Sequence, residues 1–291
     1  MLLMQFFVTG LLTGGVYALL AVSIVLVYKA TRIFNFAVGE LMVLGGFVCY
    51  SFVVWFHLPL WLAVLGALCM AVVIGFLLER LMLRPLLGRP ILTIITATLA
   101  LSSILGGLML IIWAGYPVAF PADLLPGKTI VVGMIVISHE LLWAFAITII
   151  TLGVLGYFFM KTRIGLKMRA VSEDHTLSMS CGVNITMIFA VTWVIAAITG
   201  SLSGLTLGIR LGLTAAQTPA IALRAFPAVI FGGLESIVGA VLGGLVVGII
   251  ESFLGGLIDP KIGEISAYIL LLLVLIIKPE GLFGQKRIER I

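Results

Sequence analysis

Charge is the first scarcity in this sequence. Asp, Glu, Lys and Arg make up only 10% of the 291 residues, whereas 62% are hydrophobic and the mean hydropathy is +1.31. A soluble domain cannot cover its surface with so few charges, so the chain reads as a polytopic membrane protein. Cysteine and histidine are scarce too, three of each. Cys49, Cys69 and Cys181 lie in or beside apolar runs with no paired spacing and no histidine neighbours, which indicates neither a disulfide framework nor a zinc site. His57, His139 and His175 are isolated from one another and read as interface residues. Alternating apolar and polar residues are missing as well. The continuous apolar runs, with 33 glycines, favour close-packed helices over a β-barrel. No catalytic constellation is present. Gly127-Lys128-Thr129 imitates the end of a phosphate-binding loop, but that motif requires glycine at position 122, where this chain has Ala122, and a strand before it. Any ATP hydrolysis therefore belongs to a partner.

What is present is a series of apolar spans punctuated by basic residues. The net charge of +5 does not indicate nucleic acid, because the Lys and Arg residues cluster at span ends, where they act as topology signals. The first run, Gln5 to Tyr28, exceeds a signal-peptide core and reads as a retained span ending at Lys29 and Arg32. Further spans are expected at Phe34 to Phe56, Leu60 to Leu78, Ile91 to Trp113, Leu141 to Met160 and Ile185 to Gly208, with a last one at Ile265 to Ile277. Pro85 and Pro90 read as breakers in a basic loop, and Ala114 to Glu140, with Asp123 and Lys128, as a longer polar connection.

Residues 218–254 are awkward, since one crossing there would strand the basic C-terminus, Lys278 to Arg290, on the wrong side. Two short broken or re-entrant helices, about Ala220 to Phe231 and Gly239 to Leu254, resolve this, and such helices require a protein or aqueous surround. The fold expected is thus all-α, with about eight membrane segments, N-terminus outside and C-terminus in the cytoplasm. Thirteen of the 17 Lys and Arg then fall on the cytoplasmic side, leaving Lys128, Arg210, Arg224 and Lys261 elsewhere. Glycines at 200, 204, 208 and 212, and the pairs Gly239/Gly243 and Gly244/Gly248, read as smooth helix faces for packing.

The stretch Lys161 to Val183 is densely charged and cannot lie in hydrocarbon. It predicts two short helices, the first over Ile164 to Val171 and the second capped by Ser172, with Glu173 and Asp174 in its first turn, ending at Gly182. Leu166, Ala170, Leu177 and Cys181 would form an apolar strip flanked by charge. From spacing alone a docking surface and a solvated loop are equally good readings.

Resemblance separates them. Gly165-Leu-Lys-Met-Arg169-Ala170, then Asp174 and Gly182-Val183, resembles the cytoplasmic coupling segment of ABC importer permeases, specifically branched-chain amino acid permeases of the LivH type. Asn35-Phe36-Ala37-Val38-Gly39-Glu40 is similar to a block of that family, which usually has histidine where this chain has Val38. Ala225 to Ala240, containing Phe231-Gly232-Gly233-Leu234-Glu235-Ser236, and Lys278-Pro279-Glu280-Gly281-Leu282-Phe283-Gly284 complete four blocks in order. Ser178 departs from the family's usual alanine.

The resemblance implies a single permease domain over residues 1–291 in a bacterial inner membrane, taking up branched-chain amino acids or a related small amino acid or amide. It implies no cofactor on this chain. The expected partners are a second, LivM-like permease subunit, two cytoplasmic ATPase subunits using ATP and Mg, an external solute-binding protein and the lipid membrane, with no nucleic acid. Gly165, Arg169, Ala170, Asp174 and Gly182 would couple to the ATPase, and Asn35, Glu40, Gly232 and Gly233 are candidates for the translocation pathway. Ionisable residues within spans, Glu40 and Glu251, permit a rival: a secondary transporter of small organic solutes driven by an ion gradient. For both residues a hydrogen bond to a neighbouring helix is the competing structural role.

Overall fold

A helix that is apolar on every side must be enclosed by others, and α1, Leu2–Thr31, obeys this: every residue from Gly14 to Val27 is buried. In the computed structural model, which describes residues 2–86, 88–121, 124–127, 129–132, 135–216 and 223–284, α1 is the axis of the bundle. Around it stand α2 (Val38–Val54), α3 (Leu60–Leu78), α4 (Ile91–Trp113), α5 (His139–Lys161), α6 (Arg163–Glu173), α7 (His175–Ser180), α8 (Ile185–Leu211), α9 (Ala225–Gly232), α10 (Ile237–Leu257) and α11 (Pro260–Ile277). Two short antiparallel strands, β1 (Ile130–Val132) and β2 (Ile135–Ile137), form a hairpin before α5. Gln5 holds it to the start of α1 through both its amide groups on Val136. Among the described residues seven helices are long and apolar enough to cross a membrane, and α2 is a shorter apolar helix. The outer faces of α3, α4, α5 and α11 present exposed Val73, Ile111, Ile150 and Ile276, as lipid-facing helices do. The chain is an all-α polytopic membrane protein of about eight segments.

Glycine decides how closely the axis is approached. On α10, Gly244 and Gly248 meet the backbone of Ala18 and Gly14 on α1, while Gly239 and Gly243 meet the carbonyls of Gly232 and Ala228 on α9. The two glycine pairs thus serve two different neighbours, and α10 is clamped between the axis and a half-length helix. Packing is their role, as the spacing indicates.

Several boundaries differ from expectation for local reasons. The second span begins at Val38 rather than Phe34, because Asn35 Oδ1 accepts from Ala37 N at 3.0 Å and holds a turn ahead of the helix. The third does not stop at Glu79-Arg80. It continues through a π-helical stretch, Glu79–Leu83, into a last turn, Arg84–Leu86, so that Pro85, with no N–H to donate, sits beyond a locally widened ladder. Glu79 is fully buried there and accepts from Arg84 Nε at 2.9 Å.

The second coupling helix is capped by Asp174 rather than Ser172. Asp174 Oδ1 accepts from Leu177 N at 2.9 Å, whereas Ser172 lies inside α6 and donates to Arg169 O. Helix α10 has 21 residues and is long enough to cross by itself, in place of the shorter Gly239 to Leu254. Its partner α9 has eight residues, or about 12 Å. The expected start of that partner at about Ala220 lies outside the described residues, as do Asp123, Lys128 and the terminal Lys286, Arg287 and Arg290.

Candidate functional site

Two regions concentrate polar chemistry, one at each end of the bundle. The basic end carries Lys29, Arg32, Arg80, Arg84 and the α6–α7 segment. Thr162 caps α6, its Oγ1 accepting from Gly165 N at 3.0 Å. Gly165 itself lies against the Phe158 carbonyl and 2.7 Å, from an ideal Cβ position, to Phe159 Cα, so any larger residue would push α6 off α5. Met168, Val171 and Ser178 face inward and are buried. Arg169, Ala170, Leu166, Leu177 and Cys181 are exposed, which leaves the anticipated apolar strip outward with basic residues beside it. Gly182 turns the chain out of α7 at φ +78°, a conformation that favours glycine. Ser178 is buried within the inward face.

This segment is tied to the rest of the bundle through the end of α1. Arg32 pairs with Glu235 in the α9–α10 turn, and its Nη2 donates to Ser172 O of α6 at 3.4 Å. A His175 ring nitrogen lies 3.0 Å from Ala30 O. Phe34 and Phe36 stack on Phe226 of α9 at 6.0 and 6.1 Å. The C-terminal stretch closes the group, Leu282 N donating to Phe231 O at 2.8 Å and Phe283 N to Gly232 O at 3.1 Å. Gly233, at φ +99°, lets Gly284 approach to within 2.6 Å of where a Cβ would stand. All four sequence blocks therefore converge around Arg32, a residue whose sequence context marks only topology.

The candidate pathway residues do not form one site. Asn35 is buried in the turn before α2, and Glu40 accepts from Ser102 Oγ of α4 at 2.7 Å, the neighbouring-helix bond that was its alternative role. Gly232 ends α9 and Gly233 opens the α9–α10 turn at the basic end.

The opposite end holds a chamber among α1, α8, α10 and α11. One lobe of about 310 Å³ is lined by Tyr17, Thr206, Arg210, Arg224, Glu251 and Glu264, and another of about 230 Å³ shares Thr13, Arg210, Glu251 and Glu264 with it. Arg224, at the start of α9, bridges Glu251 at 3.0 Å and Glu264 at 2.9 Å. Tyr17 lies midway along α1, so this lobe reaches the middle of the bundle, where charges are costly unless paired. After α8, Val118 and Leu213 exchange backbone hydrogen bonds at the far end, and α9 begins only at the chamber floor. That interval therefore spans the bundle with only a half-length helix described. Glu251 was legible as an intramembrane acid. Arg224 and Glu264 were not, although a lone arginine within an apolar stretch was the available signal.

The model of the family described as branched-chain amino acid transport system / permease component matches residues 6–277. The chain belongs to that family. A relative of this permease chain, the high-affinity branched-chain amino acid transport system permease protein BraD of Pseudomonas aeruginosa, is 29% identical over 99% of this chain and 98% of its own length. The high-affinity branched-chain amino acid transport system permease protein LivH of Escherichia coli K12 is 28% identical over 97% and 96%. Among solved structures, PsaBC from Streptococcus pneumoniae in complex with Fab shares the fold, with TM-score 0.54 and 16% identity over 94% of this permease chain and 92% of that one.

Proposed function

We propose that this chain is the membrane-spanning permease subunit of an ABC importer for branched-chain amino acids or a related small amino acid or amide. One observation carries the reading: an amphipathic α6–α7 segment docked inward by Met168, Val171 and Ser178, exposing Leu166, Ala170 and Leu177 beside Arg169, in a chain of this permease family. Two ATPase subunits using ATP and Mg would sit against this face, Arg169 and Asp174 at the contact, with Gly165, Ala170 and Gly182 setting its shape. The basic end is then cytoplasmic and the N-terminus external, in a bacterial inner membrane, with a second, LivM-like permease alongside and a solute-binding protein at the chamber end. Movement of the segment would pass through Arg32 and Glu235 to α9 and so to Arg224 in the chamber, giving two states with different contacts.

The ion-coupled reading draws on one observation, the charged cluster around Glu251 at membrane depth. Uptake into inverted or right-side-out vesicles separates the two. ATP dependence is expected, with loss of uptake and of ATPase stimulation in Arg169→Glu despite normal membrane insertion. Uptake that follows a proton or sodium gradient and ignores ATP would overturn the importer reading.

A further inference from the structure

The chamber at the end away from the coupling segment contains charges of both signs, and their bonding is unequal. Arg224 is committed, holding Glu251 and Glu264. Arg210 is not: its Nη1 donates to the uncharged Thr13 Oγ1 at 3.1 Å, and no described carboxylate lies within ion-pair distance. A guanidinium has five N–H donors, so Arg210 keeps capacity for an incoming carboxylate. Acceptor capacity is also left over. The Tyr17 hydroxyl reaches the Glu251 carboxylate, yet Oε2 is enclosed without a donor of good geometry, although buried polar atoms nearly always have one. Glu264, more than half exposed, meets Arg224 only through Oε1. Between these groups the wall is apolar, formed by Val16, Leu207 and Leu211. A cavity of about 310 Å³ is at the small end of the range for small-molecule sites.

We infer that this chamber is a binding site, within this one subunit, for the zwitterionic head group of a small neutral α-amino acid, with Arg210 taking the carboxylate and Glu251 with Glu264 taking the ammonium. The two arginines and two glutamates sum to zero formal charge, so a net-neutral solute with separated charges leaves the chamber balanced. A carboxylic acid without an amine would leave Glu251 Oε2 unanswered, and an amide or urea would leave Arg210 without its anion. Each is disfavoured because a buried charged group without a partner is more costly than one exposed to water. The aliphatic side chain would lie on Val16, Leu207 and Leu211. The site rests on the importer reading for its role, and it names which of that reading's solutes fits: amino acids rather than amides.

The test is equilibrium binding of radiolabelled leucine, valine and alanine to the purified full complex, with 4-methylpentanoate, 3-methylbutylamine and 3-methylbutanamide as competitors. Saturable binding of at least one amino acid is expected, with each single-headed analogue roughly tenfold or more weaker. Arg210→Gln should weaken amino acid binding roughly ten- to a hundredfold and abolish the preference for the amino acid over the amine. Arg210→Lys should keep most affinity, and Lys261→Gln, a cation at the same end outside the chamber, should change nothing. No saturable binding in the unaltered complex, an amide that binds as well as leucine, or native affinity in Arg210→Gln would each overturn the assignment. ATP-driven uptake alongside unchanged Arg210→Gln binding would overturn this site alone, whereas uptake independent of ATP would overturn the importer reading.

Discussion

Removing Arg224 offers the sharpest test of how the chamber is held together. Its side chain is 21% exposed and that of Glu251 17%, so their 3.0 Å contact is screened far less than a surface pair. At such a distance and an effective dielectric near 20, the attraction is of order 5 kcal/mol, opposed by desolvation of both groups. The 2.9 Å contact to Glu264, 56% exposed, adds at most about 1 kcal/mol. Replacing Arg224 by methionine keeps an unbranched stem without the guanidinium and leaves Glu251 enclosed beside a second carboxylate. The expected loss is about 3–5 kcal/mol, the cost of an uncompensated buried charge. Glu251→Gln alone should cost less, about 1–2 kcal/mol, because Arg224 retains Glu264. In the double variant the stranded charge is gone, so stability should return to within about 1–2 kcal/mol of native, a coupling of 2 kcal/mol or more. Denaturant titration in mixed micelles, followed by tryptophan fluorescence, measures all four members of the cycle. Losses that add within about 0.5 kcal/mol would show that the two side chains do not act as a buried pair.

Other expectations concern packing and accessibility. Gly244→Val puts a Cβ against the Ala18 backbone and 2.8 Å from Ala18 Cβ, where neither helix can yield, so about 1–3 kcal/mol of stability should be lost. Gly106→Ala on α4, where an added Cβ meets nothing within 4 Å, should instead be neutral or stabilise by up to about 1 kcal/mol, and thermal unfolding in detergent compares the two. Membrane-impermeant maleimide should label exposed Cys181 from the cytoplasmic face of inverted vesicles and spare buried Cys49; labelling of Cys181 only from the outer face would reverse the proposed orientation.

Most of the architecture was legible because a bilayer imposes a simple rule: backbone polar groups must be satisfied within helices, and those helices must be apolar over about 20 residues. Ile91–Trp113 and the beginning of α3 at Leu60 follow from that rule alone. The outward strip of α6 and α7 was legible too, since helical spacing fixes which residues share a face. Local capping was ambiguous. Ser172 and Asp174 are both good N-caps, and the choice fell to Asp174 because α6 docks on the end of α1, through Arg32 and Ser172 O, far enough to keep Ser172 helical. The basic loop after Leu78 was misjudged in length because a π-helical stretch buries Glu79 against Arg84, a pairing five residues apart that α-helical spacing does not anticipate.

By itself the sequence determined the class of the molecule: a bundle of apolar helices, smooth where glycine recurs, with one charged segment excluded from lipid. Tertiary structure decided which polar groups meet. Arg32 finds Glu235 over 203 residues, and Arg224 finds Glu251 and Glu264 on two other helices. Hydrophobic periodicity records how far each residue lies from water, a property of one helix at a time. Charge pairing depends on the rotation and depth of one helix against another, and these were set by the close contacts of Gly244 and Gly248 with the axis and of Gly239 and Gly243 with α9.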